Sequence, residues 1–117
     1  MKSGADLIAE AKSRIRELSP RAAIDEQARG GHLVLLDVRD AQEVNLGKIP
    51  GALHISRGNL ETKVDALIPR EARVVIYCAS GNRSALAAET MQQMGYSDVA
   101  SMAGGIRGWI DAGGEVE

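Results

Sequence analysis

Two nearly unbroken apolar runs constrain this chain more than any other feature: Leu33-Val34-Leu35-Leu36-Asp37-Val38 and Arg73-Val74-Val75-Ile76-Tyr77. A strand with one wet face alternates apolar and polar residues, whereas a strand covered on both faces reads as a continuous apolar stretch. Both runs therefore predict interior strands of a mainly parallel sheet with helices packed on either side. Parallel neighbours need long crossover connections, and segments of helical period stand between the runs.

The remaining segments fill in that plan. Leu7, Ile8, Ala11, Ile15 and Leu18 recur at spacings of three or four, which predicts one amphipathic helix over most of the N-terminal stretch. Ser19-Pro20 supplies an N-cap and a first-turn proline, and Gly30-Gly31 a stop, so residues 21–29 read as a second helix. Asp40 and Glu43 have capping-box spacing ahead of a helical turn over 41–46, ended by Gly47. Ile49-Pro50-Gly51 marks a turn, residues 52–55 a short strand, and Leu60, Val64, Leu67 and Ile68 a helical stripe stopped by Pro69. Residues 84–94 are rich in Ala and Leu and close at Gly95, residues 99–102 read as a last strand, and Gly104-Gly105 leads into a segment carrying Trp109. There is no internal repeat or low-complexity stretch, and 117 residues is a single-domain length.

The second apolar run leads directly into Cys78-Ala79-Ser80-Gly81-Asn82-Arg83 and then a helix. Ligand sites in open α/β sheets form at the carboxyl ends of strands. A loop of small residues there can turn successive backbone N–H groups inward as a nest against the next helix. Such a cradle stabilises a thiolate, and a nearby cation such as Arg83 lowers a cysteine pKa further. Gly81 permits a backbone angle that a Cβ resists, and Ser84 is placed to cap the helix or donate to an anion. The loop thus reads as a nucleophilic thiolate in an anion pocket, against the blander possibility that Cys78 is a small buried hydrophobe. No Gly-Lys-Ser/Thr follows the glycine, so nucleotide binding is not supported.

Composition excludes several other classes. Fourteen basic and sixteen acidic side chains give a net charge of −2, and only Tyr77, Tyr96 and Trp109 are aromatic. That is neither the basic surface nor the stacking platform of a nucleic-acid binder. No apolar stretch approaches the ~20 residues that cross a bilayer, so no membrane partner is expected. Cys78 is the only cysteine, which rules out an intrachain disulfide and leaves only His32, His54 and a carboxylate to complete a zinc site; no metal or other cofactor is expected. The N-terminus has no apolar signal-peptide core and a free thiol suits a reducing compartment, so the expected location is cytoplasmic.

Four pieces in order resemble the rhodanese domain of the single-domain sulfurtransferase type. They are Asp37-Val38-Arg39; Glu43 with Gly47-Lys48-Ile49-Pro50-Gly51-Ala52; Cys78-Ala79-Ser80-Gly81-Asn82-Arg83-Ser84; and Gly104-Gly105-Ile106-Arg107-Gly108-Trp109. The resemblance implies a three-layer α/β sandwich, with a five-stranded mainly parallel sheet and helices on both faces, over residues 15–117 after a helical extension at 1–14. It also implies a short strand near 16–18, so that the first helix ends earlier than periodicity suggests. Its chemistry would be covalent: Cys78 takes the outer sulfur of thiosulfate or a persulfide donor and passes it to a thiol, cyanide or a protein thiol. By carry-over, Cys78 and Arg83 are catalytic, Ala79, Ser80, Gly81, Asn82 and Ser84 cradle the sulfur, and Asp37 and Arg39 brace the neighbouring strand end.

Four residues separate Cys78 from Arg83, the sulfurtransferase spacing, where related phosphatases and arsenate reductases carry five. A noncatalytic or carrier module serving one protein partner is the alternative from another class. Lys48 departs from the histidine common at its position. Arg57 and Arg107, with Lys48 behind them, are candidates for a cationic rim that attracts an anionic donor. His32 and His54 read as structural, and Met91, Met94 and Trp109 as core or near-core residues.

Overall fold

The structure, a computed structural model, describes all 117 residues. Its strands are β1 (Arg16–Leu18), β2 (Leu33–Asp37), β3 (Leu53–His54), β4 (Arg73–Tyr77) and β5 (Val99–Met102). Its helices are α1 (Gly4–Arg14), α2 (Pro20–Ala28), α3 (Ala41–Asn45), α4 (Leu60–Leu67), α5 (Asn82–Gln93) and α6 (Gly105–Asp111), with a 3-10 turn at Arg57–Asn59. The five strands form one sheet in the order β1-β5-β4-β2-β3, and every pairing is parallel.

The two apolar runs are neighbours at the heart of this sheet, paired Leu33 to Arg73 through Asp37 to Tyr77. Successive residues point to opposite faces. Leu36, Val74 and Ile76 join Leu60 and Val64 of α4 and Ala87, Ala88 and Met91 of α5 in one core. Leu35, Val75 and Tyr77 join Ala23 of α2 and Ile106 and Trp109 of α6 in the other. Covering both faces removes the need for polar residues along the strands, each buried aliphatic side chain contributing about 1.5–3 kcal/mol. No helix is long and apolar enough to cross a membrane.

The N-terminal segment departs from its periodicity. A capping box of Ser3 and Asp6 starts α1, which stops at Arg14, and Ile15 turns extended at φ −119° and ψ 167°. Residues 16–18 pair with Ala100, Ser101 and Met102 as an edge strand. Ile15 packs against one core and Leu18 against the other, so their helical spacing is a coincidence of two faces. The exposed ladder groups of β5 decide the matter, since backbone pairing satisfies them along a buried strand. Helix α1 itself lies on α5, with Ala11 buried and Arg14 bonded to Glu89 at 3.0 Å.

Because all strands run one way, their carboxyl ends share one edge of the sheet. Asp37 and Tyr77 end side by side there, and Cys78 follows Tyr77. Helix α6 is held against this edge by the Ile106 N–H, which donates to the Cys78 carbonyl at 2.9 Å. Gly105 makes the approach possible: its φ is +59°, and a Cβ there would lie 2.5 Å from the Cys78 carbonyl oxygen.

Candidate active site

Cys78 is buried at the end of β4 and its sulfur sits inside the turn that starts α5. The N–H of Gly81 donates to Sγ at 3.0 Å and that of Ser84 at 3.4 Å, while the Ser84 hydroxyl lies 3.5 Å away. Gly81 is the N-cap of α5 at φ 106°, the left-handed conformation that swings its N–H inward. Burial alone would raise the thiol pKa, but hydrogen bonds from the Ser84 hydroxyl and the N–H groups of Ser84, Gly81 and Ser80 outweigh it and bring it below the ordinary value. Ser80 and Asn82 expose their side chains and Ala79 half-buries its own, so Ser80 reaches the thiol through its backbone.

Ser84 lies within the first turn of α5 rather than at its cap, and its hydroxyl is 2.7 Å from that of Ser101 on β5. Both serines are fully buried. Sequence reading passed over Ser101, although a serine inside a buried strand, flanked by Val99, Ala100 and Met102, is a signal in itself.

Arg83 is held by Glu43, which the sequence marked as a helix cap and as part of the family pattern but not as a partner of the arginine. Glu43 of α3 receives its guanidinium through two bonds, 2.6 and 2.9 Å, which holds the carboxyl down at about 2 and raises the arginine. Arg83 therefore feels the Cys78 charge as a neutralised partner, and fixed N–H and O–H donors lead the lowering of the thiol.

Asp37 and Arg39 are bonded to each other. Strand β2 ends at Asp37, the chain turns, and Arg39 folds back onto the same carboxylate, Nη2 donating at 2.8 Å and the backbone N–H at 2.9 Å. The same guanidinium donates to the Gly47 carbonyl at 2.7 Å, fastening the segment that carries α3. His54 bonds the Arg39 carbonyl through Nε2 at 2.7 Å, a structural contact, and His32 is exposed.

A cavity of about 270 Å³ opens beside the loop. Ala79, Arg39 and Glu43 line it, Arg107 adds a cation, and Leu46, Ile110 and Val116 form an apolar rim. Arg57 is elsewhere, its guanidinium bonded to Glu61 at 3.0 Å and Thr90 at 3.1 Å. Lys48 is tied to Glu117, by a 3.2 Å ion pair and by backbone bonds in both directions. No group of three or more His, Cys, Asp or Glu is arranged to hold a metal ion.

A parallel five-stranded α/β sandwich with a cysteine cradled at the central strand end defines a class, and the match to known families agrees: residues 19–112 fit the family model described as Rhodanese-like domain. The chain belongs to the rhodanese-like domain family. Among its relatives, a sulfurtransferase of Allochromatium vinosum is 32% identical over 99 residues, covering 85% of this chain and 92% of that protein. YrkF of Bacillus subtilis, named as a sulfur carrier protein, is 33% identical over 93% of this chain, which spans 58% of that longer relative. A solved structure from Rhodopseudomonas palustris, RPA3614, a protein of unknown function described as a possible tyrosine phosphatase, is 39% identical with a TM-score of 0.90, covering 100% of this chain and 96% of that one.

Proposed function

We propose that the protein is a sulfurtransferase whose Cys78 accepts a sulfane sulfur and hands it to a thiophilic acceptor. The observation that carries this reading is the ring of donors around a single buried sulfur, with the thiol held below its ordinary pKa. In the first step the Cys78 thiolate attacks the outer sulfur of thiosulfate. A new S–S bond forms, the old one breaks, and its electron pair leaves with sulfite. In the second step an acceptor thiolate or cyanide attacks the outer sulfur of the Cys78 persulfide, and the thiolate is restored. Neither step needs an external oxidant, metal or cofactor. Fixed donors suit both steps because negative charge returns to the same cradle each time. The sulfurtransferase relative from Allochromatium vinosum supports the reading.

A carrier role, in which one protein partner loads or unloads Cys78, is the second reading. It is favoured by the burial of the thiol at 1% exposure and by the name of YrkF. Phosphoryl transfer fits less well. The loop has four residues between Cys78 and Arg83, and the guanidinium is committed to Glu43 rather than open to an oxyanion.

Incubation with thiosulfate should add one sulfur atom to the intact mass, release sulfite, and do neither in Cys78→Ser. An unchanged mass with thiosulfate, with low-molecular-weight persulfides and with a protein persulfide donor would overturn sulfur transfer. Loading only by a protein donor would select the carrier reading, and aryl-phosphate hydrolysis lost in Cys78→Ser would select the phosphatase.

A further inference from the structure

Behind the sulfur stands a two-serine chain that the proposed reaction does not by itself call for. Ser84 Oγ lies 3.5 Å from Cys78 Sγ and 2.7 Å from Ser101 Oγ, and all three residues are buried. The two hydroxyls own two protons between them, and the only hydrogen bond of the Ser101 hydroxyl is the one to Ser84. With Cys78 as a thiolate, both protons are used: Ser101 donates to Ser84 and Ser84 donates to sulfur. With Cys78 as a thiol, its S–H needs an acceptor, and Ser84 Oγ is the one in reach. The Ser84 proton must then turn to Ser101, and the Ser101 proton is left without an acceptor in a buried site. Leaving a buried donor unpaired is costly, so the chain favours the ionised sulfur.

We propose that Ser101 is a positioning residue that biases Cys78 toward the thiolate by fixing the direction in which the Ser84 hydroxyl donates. This deepens the reading of Cys78 as a nucleophile and rests on it, but not on the identity of the sulfur donor. The charges around the site do not duplicate the effect. Arg83 of α5 is neutralised by Glu43 of α3, Arg39 is neutralised by Asp37 at the end of β2, and Arg107 of α6 lines the outer cavity. Asp40 bears on Arg83 and not on the sulfur's own hydrogen bonds.

The test is the pH profile of Cys78 alkylation by iodoacetamide, which reads thiolate content and needs no sulfur transfer. In Ser101→Ala the rate near neutral pH should fall about three- to tenfold, the usual net worth of a hydrogen bond, and recover at the high-pH plateau. Ser84→Ala should show at least as large a fall, and adding Ser101→Ala to it should change nothing more. Ser101→Thr, which keeps the hydroxyl, should stay near wild type. A wild-type profile in Ser101→Ala would overturn the proposal, as would an equal fall on the Ser84→Ala background, because Ser101 would then act through packing alone. If alkylation behaves as expected while neither thiosulfate, nor low-molecular-weight persulfides, nor a protein persulfide donor changes the mass, the thiolate device stands and the sulfurtransferase reading fails.

Discussion

At Cys78 and Glu43 the same rule operates with opposite signs of visibility. A group's charge state is set by the donors aimed at it, and those donors come from different parts of the chain. Glu43 Oε1 accepts from the Asp40 N–H at 3.1 Å and from Arg83 at 2.6 Å, serving a helix cap and an ion pair at once. The carboxyl is held down at about 2 by Arg83, against an ordinary value of 4.5. An unfolded chain would take up that proton near the ordinary value, so the pair's contribution to stability is full above about pH 4.5 and disappears as the pH falls toward 2. The pair is part-exposed and solvent screens it, so the contribution is about 1 kcal/mol. Urea titrations should show Glu43→Gln less stable than wild type by that amount at pH 6, with the gap narrowing below about pH 4.5 and closing at about pH 2. The cap was legible from the spacing of Asp40 and Glu43, but the partner forty positions away was not, since nothing local links Glu43 to Arg83. The loop from Cys78 to Ser84 was legible because all its donors lie within one turn of the sulfur.

Elements were legible where a single period ran through them. The runs at β2 and β4 and the stop at Gly95 after α5 needed no tertiary information, whereas periodicity alone ran a helix through β1: the short strand near 16–18 was legible only through the resemblance, and it forms because β5 offers an edge to pair with. The placement of α6 was equally hidden. Its fit depends on Gly105, whose φ of +59° and lack of a Cβ bring the helix start against the carbonyls of Cys78 and Ala79. In Gly105→Ala the new methyl would meet those atoms at 2.5–2.6 Å. Overpacking and the strained backbone angle together should cost about 3 kcal/mol in urea unfolding. The Ile106 bond to the Cys78 carbonyl should be lost with it, so alkylation of the sulfur should change in rate even where the protein stays folded.

Across the whole molecule, the last residues join parts that are distant in sequence. Trp109, buried at 1% exposure, donates through Nε1 to the Glu115 carbonyl at 2.7 Å, and Gly114 packs on the indole so closely that a Cβ would overlap it. Glu117 then exchanges backbone bonds with Lys48 at 2.8 and 3.0 Å, so residues 113–117 strap α6 to the turn before β3. Removing residues 114–117 should shift the emission of Trp109, the one tryptophan, to the red and lower stability by about 2 kcal/mol through the apolar indole surface uncovered and the hydrogen bond lost. Lys48 was noticed in the sequence as a departure, but its bond to Glu117 depends on the strap's path, which no periodicity describes. Val116 on this strap lines the cavity beside the Cys78 loop, and so does Gly47, the neighbour of Lys48. Any polypeptide joined after Glu117 would thus depart from the lip of that cavity. Under the proposed sulfur transfer, an acceptor tethered there by a short flexible linker would meet Cys78 at a roughly millimolar effective concentration, whatever its concentration in solution.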